Sequence, residues 1–180
     1  MGGTASRGIG KQSFALHHDV MSDSLNAFSL AIGLLASDPT VNPGEWRDYV
    51  WTAQPIGTCL QDGRCPVTRT RWDWKRDQRV EIRIAPGSKG ITVTNRLINN
   101  DPSDDDDVCV TVLFRDKAGK SITVFHENRH AFPRTDTATT SVVRKAALKS
   151  ITSIAVGTKQ CRRGAHEDDD VYRRAQKRTR

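Results

Sequence analysis

Hydrophobic and polar residues alternate with a period of two over much of the second half of the chain. VEIRIA and ITVTNRLI flank the turn PGSKG, and VCVTVLF and KSITVFHE flank the turn RDKAG. Successive side chains of a strand point to opposite sides of the sheet, so this alternation predicts half-buried strands. Short strands separated by Gly- and Asp-containing turns are typical of a sandwich. We therefore expect residues 80–161 to form an antiparallel β-sandwich in which residues 108–127 are a hairpin.

Three other segments have different patterns. Residues 13–37 carry apolar side chains at helical spacing, and two prolines in SDPTVNPG follow them. The segment TRTRWDWKRDQR alternates like an exposed edge strand. In HEDDDVYRRAQKRTR acids precede bases, which suits the dipole of a short, exposed helix, although a solvated tail is equally consistent with it.

These patterns predict a mainly β protein, an antiparallel β-sandwich with an N-terminal helical segment and a short C-terminal helix or tail. We expect three regions: an N-terminal arm and helix (residues 1–37), a disulfide-stabilised β-sandwich domain (residues 38–161) and a charged C-terminal tail (residues 162–180).

The composition is that of a soluble globular protein. The 180 residues are 36% hydrophobic and 27% charged. The longest apolar run, residues 27–36, is far shorter than the roughly 20 residues that cross a bilayer, so we expect no membrane span. The net charge of +7 permits binding to nucleic acid, anionic lipid or an acidic partner without selecting among them.

The chain contains four cysteines, an even number that is compatible with two disulfides. Cys59 and Cys65 close a short loop, whereas Cys109 and Cys161 lie at the ends of two predicted strands. Disulfides indicate an oxidising compartment, so a secreted or extracytoplasmic location is expected. If the thiols are reduced, the protein is cytoplasmic.

The segment HENRH fits the zinc-binding pattern HExxH, with His126 and His130 as ligands and Glu127 as the catalytic base. That chemistry requires a helix, because a helix places residues four apart on one face. Here β-branched residues precede the motif and Pro133 follows it closely. In a strand the two histidines would lie roughly 13 Å apart, too far for one ion. A zinc-dependent hydrolase is therefore an alternative, and a chance match in a strand is the expectation.

An acidic loop raises the possibility of a calcium site. Calcium takes hard oxygen ligands, and clustered carboxylates at one end of a sandwich could supply them. The candidate ligands are Asp101, Asp104, Asp105, Asp106 and Asp107. The alternative, which we favour, is a solvated turn whose charges keep a strand edge soluble. We thus expect no bound cofactor, with Ca²⁺ or Zn²⁺ as the possible exceptions.

A segment rich in arginine and tryptophan is the candidate binding patch. Aromatic faces interleaved with cations could stack bases or sugars, or hold acidic groups. The candidate residues are Arg69, Arg71, Trp72, Trp74, Lys75 and Arg76. Alternatively, the tryptophans belong to the core and the arginine stems cover them.

The sequence carries no coherent catalytic set, so we expect a non-enzymatic protein. The favoured function is a binding or structural β-sandwich that works through protein partners or self-assembly. The first alternative is the zinc hydrolase. The second is a nucleic-acid-associated assembly or capsid-type protein whose basic tails contact phosphate.

Overall fold

The computed structural model describes residues 45–73, 76–144, 148–162, 164 and 166–179. The predicted N-terminal arm and helix lie outside these residues. Within them the chain forms eight strands: β1 Val50–Pro55, β2 Thr68–Asp73, β3 Gln78–Gly87, β4 Gly90–Asn99, β5 Asp106–Arg115, β6 Ser121–Ala131, β7 Thr135–Arg144 and β8 Ser153–Gln160. Two helices, α1 Cys59–Asp62 and α2 Asp169–Arg178, and a 3₁₀ turn at Leu148–Ser150 complete the described elements.

The strands form two antiparallel four-stranded sheets. Sheet A has the order β1-β8-β5-β6, and sheet B has the order β2-β3-β4-β7. Their inner faces pack against each other through β-branched and aromatic side chains, among them Val80, Ile82, Val110, Phe114 and Val156. The fold is therefore mainly β and a sandwich, which confirms the fold class predicted from the period-two alternation.

The hairpin of β5 and β6 shows how the alternation divides side chains between two layers. Val110 pairs with Glu127 and Val112 pairs with Phe125, and these positions face sheet B. The next position, where Leu113 pairs with Val124, faces away from sheet B. Because both sets are buried, sheet A must be covered on its outer face as well.

That outer cover comes from helix α2 and the segment before β1. Val171 and Ala175 of α2 pack with Trp46 against Leu113 and Val124. The helix was predicted, but it is not an exposed element or a free tail, because this apolar stripe docks on the sheet. Arg178 also donates a 2.5 Å hydrogen bond to the Glu45 carboxylate.

Two cysteine pairs lie at disulfide distance, as the spacing suggested. Cys59 and Cys65 have Cα atoms 4.7 Å apart and enclose α1 together with the turn that follows it. Cys109 in β5 and Cys161 after β8 have Cα atoms 5.5 Å apart. The second pair joins neighbouring strands of sheet A across 52 residues of sequence, so its loop is long and its stabilising effect correspondingly larger.

Candidate functional site

The HENRH segment lies in strand β6, where alternation separates its three chemical groups. His126 and His130 are on the outer face of sheet A, and Glu127 is on the inner face. The Nδ1 atom of His126 lies 2.8 Å from the Thr111 hydroxyl. The Glu127 carboxylate instead accepts a 2.7 Å hydrogen bond from Asn95. This geometry contradicts the zinc-hydrolase alternative. An ion held by His126 and His130 would lie on the outer face of sheet A, where the Glu127 carboxylate cannot reach it.

His130 is part of a different environment from His126. Its Nδ1 atom lies 2.9 Å from Asp107 Oδ1 and its Nε2 atom lies 3.2 Å from Asp105 Oδ2. The hydrogen bond to Asp107 raises the pKa of His130, whereas burial lowers the pKa of His126. Among the residues that the structure describes, no three His, Cys, Asp or Glu side chains converge as metal ligands.

The remaining carboxylates of the acidic loop also have protein partners, and Asp101 and Asp104 share the Arg76 guanidinium, so the calcium alternative gains no support from this geometry. Asp101 accepts hydrogen bonds from the backbone N–H groups of Ser103 and Asp104, and these bonds lower its pKa. The Asp104 carboxylate pairs with Arg76, whose hydrogen bond lowers the pKa of that carboxyl.

Asp106 is directed inward, and it explains the position of Trp72. The Trp72 side chain is only 7% exposed and packs in the core between the sheets. Its indole N–H donates a 2.9 Å hydrogen bond to Asp106 Oδ2. Burial raises the pKa of Asp106. The expectation that Trp72 offers a stacking face to a ligand is therefore wrong, because in β2 it occupies an inner-face position. Trp74 and Lys75 lie outside the described residues.

The arginines of the predicted patch belong to a larger surface, the outer face of sheet B, which we call the arginine face. It comprises outer-face residues of all four strands: Arg69, Arg71, Arg79, Glu81, Arg83, Arg96 and Asp136. Arg76 of the predicted patch lies instead in the turn before β3, beside the acidic loop.

An ion-pair row crosses the arginine face perpendicular to the strands. Arg69 Nε lies 2.9 Å from Glu81 Oε1, and Glu81 Oε2 lies 3.1 Å from Arg96 Nη1. Arg96 also donates a 2.7 Å hydrogen bond through Nε to Asp136 on β7. Hydrogen bonds from Arg69 lower the pKa of Glu81, and those from Arg96 lower the pKa of Asp136. The row therefore stays ionised and holds two guanidinium groups in fixed positions.

Additional positive charge lies beside this row. Arg71 in β2 is directly opposite Arg79 in β3, and Arg83 is two positions farther along β3 from Glu81. Like charges placed opposite each other on neighbouring strands destabilise a sheet. Among the described residues, Asp77 compensates Arg79 at 3.0 Å, and no ion pair is formed by Arg71 or Arg83. The face thus presents cations in excess of its own carboxylates.

Sequence reasoning found Arg69 and Arg71 but missed Arg79, Arg83 and Arg96. The signal was the alternation itself. In RVEIRI charged and apolar residues alternate strictly, so the three charged residues share the face opposite the apolar ones. What the sequence could not supply was the strand order that brings Arg69 beside Glu81 and Arg96.

Sequence reasoning also missed a buried polar cluster on the outer face of sheet A, which we call the lysine cluster. Lys159 of β8 is 6% exposed, and its ammonium lies 2.8 Å from Glu167 Oε1 and 2.6 Å from Asp168 Oδ2. It also stands 4.8 Å from the centroid of the Tyr49 ring. A lysine inside the apolar strand IAVGTKQ was the available signal, since lysine is seldom fully buried unless it is paired.

Comparison with known proteins assigns no family to the chain. No protein-family model matches it, and no curated protein matches it. Among solved structures, the trimeric lipoprotein SadB of Salmonella enterica is similar with a TM-score of 0.34 and 11% identity, over 51% of this chain and 58% of SadB. This chain therefore covers little more than half the length of SadB.

Two further solved structures show comparable similarity. The Escherichia coli lipoprotein yajI has a TM-score of 0.39 and 14% identity, over 87% of this chain and 96% of yajI. The enzymatically active domain of tailspike protein 4 of bacteriophage CBA120 has a TM-score of 0.22 and 12% identity, over 66% of this chain and 18% of that domain. At these scores the similarities carry no assignment of ligand, partner or activity.

Proposed function

We propose that the protein is a non-catalytic binding β-sandwich that docks an acidic protein surface on its arginine face. The observation that carries the proposal is the placement of five arginines on one solvent-exposed sheet face, with two carboxylates among them. Arg69 is 66% exposed, so its guanidinium is accessible despite its ion pair. Arginine is well suited to this task because its planar donors bind carboxylates in a bidentate manner.

The distribution of charge favours a protein over nucleic acid as the partner. Glu81 and Asp136 lie within the ion-pair row and would repel a continuous phosphate backbone. A protein surface with separate acidic groups can meet Arg71 and Arg83 while leaving the row intact. Complementary charge of this kind increases the association rate and excludes wrong partners.

The location that fits this proposal is extracytoplasmic. Two cysteine pairs lie at disulfide distance, and disulfide bonds persist where the environment is oxidising. Among the described residues, no helix is both long and apolar enough to cross a membrane.

The test compares charge reversal on the arginine face with the same charge change elsewhere. The double variant Arg71→Glu/Arg83→Glu removes two cations that form no ion pair with the described residues, and it leaves the row in place. Its matched control is Lys117→Glu/Lys120→Glu, in the exposed turn between β5 and β6. The probe is fluorescent poly-L-glutamate, followed by anisotropy at low and physiological salt.

We expect the arginine-face variant to bind at least about tenfold more weakly, and the control to bind like the unsubstituted chain. Binding should also weaken with added salt, because exposed charges are screened. Equal losses in both variants would show only a general effect of net charge and would overturn the proposal. So would a labelled single-stranded oligonucleotide that binds more tightly than polyglutamate through the same two arginines.

Self-assembly is a second candidate, favoured by strand β7. This strand is an edge of sheet B and pairs, among the described strands, only with β4. Its ten residues, TDTATTSVVR, contain no proline or lysine, two common devices that protect an edge. Val142 on it is 49% exposed. Addition of a β7 strand from a second copy would extend sheet B across the two molecules.

Light scattering with two variants tests this second candidate. We expect the unsubstituted chain to be a dimer or larger, and Val142→Lys to be monomeric. Lys117→Glu, remote from the edge, should keep the assembled state. A monomeric unsubstituted chain at high concentration would eliminate assembly through β7.

A further inference from the structure

The lysine cluster combines an amine nucleophile, a carboxyl electrophile and a second carboxyl group in one buried site. The Lys159 Nζ atom lies 2.6 Å from Asp168 Oδ2 and 2.8 Å from Glu167 Oε1. The side chains of both acids are 14% exposed. The Tyr49 ring covers the amine from one side, and Trp51 stacks on Tyr49. The reacting groups are thus held together with restricted access to water.

The acidic side chains are fixed because the backbone that carries them is anchored. Asn128 donates a 2.7 Å hydrogen bond to the Glu167 carbonyl oxygen, and His126 Nε2 lies 3.4 Å from the same oxygen. Asp168 has φ of +67°, an uncommon left-handed conformation for a residue other than glycine. Such conformations persist only where surrounding contacts enforce them. Here they direct the Asp168 carboxyl group toward the lysine.

The contact between Lys159 and Asp168 is not an aligned hydrogen bond. Asp168 Oδ2 is buried and, among the described residues, forms no hydrogen bond despite its closeness to Nζ. The Tyr49 hydroxyl is also buried, beside Thr111 and Asp168, and burial raises its pKa. A buried oxygen without a hydrogen bond is costly and requires an explanation.

We propose that Lys159 and Asp168 condense to an intramolecular isopeptide bond, with Glu167 as the proton carrier. The reaction requires a neutral amine and a neutral carboxylic acid, which differ from the ion pair by the transfer of one proton from Nζ to the Asp168 carboxylate. Nζ attacks Asp168 Cγ, and a new C–N bond forms while Glu167 accepts one proton from the nitrogen. Glu167 then returns that proton to the departing hydroxyl, the C–O bond breaks, and one water leaves.

This reaction accounts for the unaligned oxygen and has a structural consequence. One Asp168 oxygen leaves as water, and the remaining carbonyl oxygen becomes an amide acceptor. No oxidant or cofactor is required, since the bond is made from two side chains of the same chain. Holding the two groups in contact replaces a bimolecular encounter, which is a large part of the barrier. The product links β8 covalently to the start of α2 and locks the helix on sheet A.

The experiment measures the intact mass of the purified full chain after its disulfides are reduced. We expect a mass lower than the calculated value by one water, and a tryptic digest in which cleavage after Lys159 is absent. The digest should contain a branched peptide joining the segments of Lys159 and Asp168. An unsubstituted chain at its full calculated mass, cleaved normally after Lys159, would overturn the proposal.

Four variants separate this bond from other routes of water loss. Lys159→Arg and Asp168→Ala each remove one end of the bond, so both should have their full calculated masses. Asp168→Asn should lose ammonia in place of water. Glu167→Gln should leave most of the chain unreacted. Water loss that persists in Lys159→Arg would instead indicate a succinimide at an aspartate and would contradict the proposal. None of these outcomes depends on the arginine face.

Discussion

The outer faces of the two sheets carry charged residues in opposite environments. On sheet A, Lys159 and its two acidic partners are covered by α2, Tyr49 and Trp51. On sheet B, the Arg69, Arg96 and Asp136 side chains of the arginine face are 45–66% exposed, so their ion pairs are open to solvent. A similar set of side chains thus serves two purposes. On sheet A it holds a helix where access to water is restricted, and on sheet B it leaves charge exposed to water, where we propose that a partner binds.

Solvent decides how much each set contributes to stability. An exposed ion pair gains little, because water and salt screen it and two side chains lose freedom. A buried set gains little over an apolar replacement, yet removing one member leaves uncompensated charge in the interior. The covered face should therefore be sensitive to single substitutions, and the arginine face should tolerate them while losing binding.

The largest effect is expected from Lys159→Met. Methionine is similar in length, but it can neither pair with Asp168 nor be joined to it, so Glu167 and Asp168 would remain as two buried carboxylates without a partner. Breaking a buried pair in this way costs about 3–5 kcal/mol. Urea denaturation followed by tryptophan fluorescence measures the free energy of unfolding.

A triple variant provides the control for that loss. Lys159→Met combined with Glu167→Gln and Asp168→Asn removes the charge on all three side chains and should recover much of the stability. If Lys159→Met unfolds at the same urea concentration as the unsubstituted chain, the carboxylates reach water and the covered face is open.

A smaller effect is expected from Gly157→Ala in β8. Trp51 lies directly over this glycine, and an added Cβ would stand 2.6 Å from the indole Cζ3 atom. Because the tryptophan stacks on Tyr49, it cannot retreat without disturbing the cover of the lysine cluster. We expect a loss of about 1–3 kcal/mol, typical of overpacking. Thermal denaturation measures it.

The matched control enlarges a side chain on the other outer face. Ala138 lies on the exposed side of β7, and Ala138→Val should change stability by no more than about 0.5 kcal/mol. Comparable losses in both variants would show that the two outer faces do not differ in packing.

The sequence correctly indicated which residues share a face of a strand. It did not indicate which elements cover that face. Alternation alone separates Trp72 from Arg69 and Arg71, since they occupy opposite parities of TRTRWD. The same rule separates Glu127 from His126 and His130. Treating the tryptophan and the arginines as one patch ignored this period, and burial of Trp72 in the core was the alternative that the structure supports.

Two features could not be read from the pattern. That Lys159 is buried follows from α2 docking on sheet A, a long-range contact that depends on tertiary packing. The pairing of the acidic loop with Arg76 and His130 depends on irregular backbone and on which segments meet beside the loop. Alternation constrains strands, and it places no constraint on a loop such as NNDPSDDDD.

Acidification should act in opposite directions at the two histidines of β6. Burial lowers the pKa of His126 in the folded state, so the unfolded chain binds more protons as the pH falls through about 6.5. The free energy of unfolding therefore decreases as the pH falls from about 6.5 to the lowered pKa of His126. Asp107 raises the pKa of His130, so its contribution is present below about 6.5 and is lost as the pH rises through the raised value.

Melting curves between pH 5 and 7 of His126→Gln and His130→Gln separate these contributions. The His126 variant should lose less stability on acidification than the unsubstituted chain, and the His130 variant should lose more. If the His126 variant shows the same pH dependence as the unsubstituted chain, the covered face admits enough water to solvate the imidazolium.

The smallest effect on stability is expected from Arg96→Ala, at the centre of the ion-pair row. Arg96 contacts both Glu81 and Asp136, so its removal ends the row, but both acids are then free to be solvated. The melting temperature should change by an amount close to the error of the measurement, and less at high salt, because screening weakens exposed pairs first. Polyglutamate binding should nevertheless weaken, since one cation is lost and two carboxylates are left without it. A large loss of stability would mean that the arginine face is covered like its counterpart on sheet A, and a surface already covered could not receive a partner.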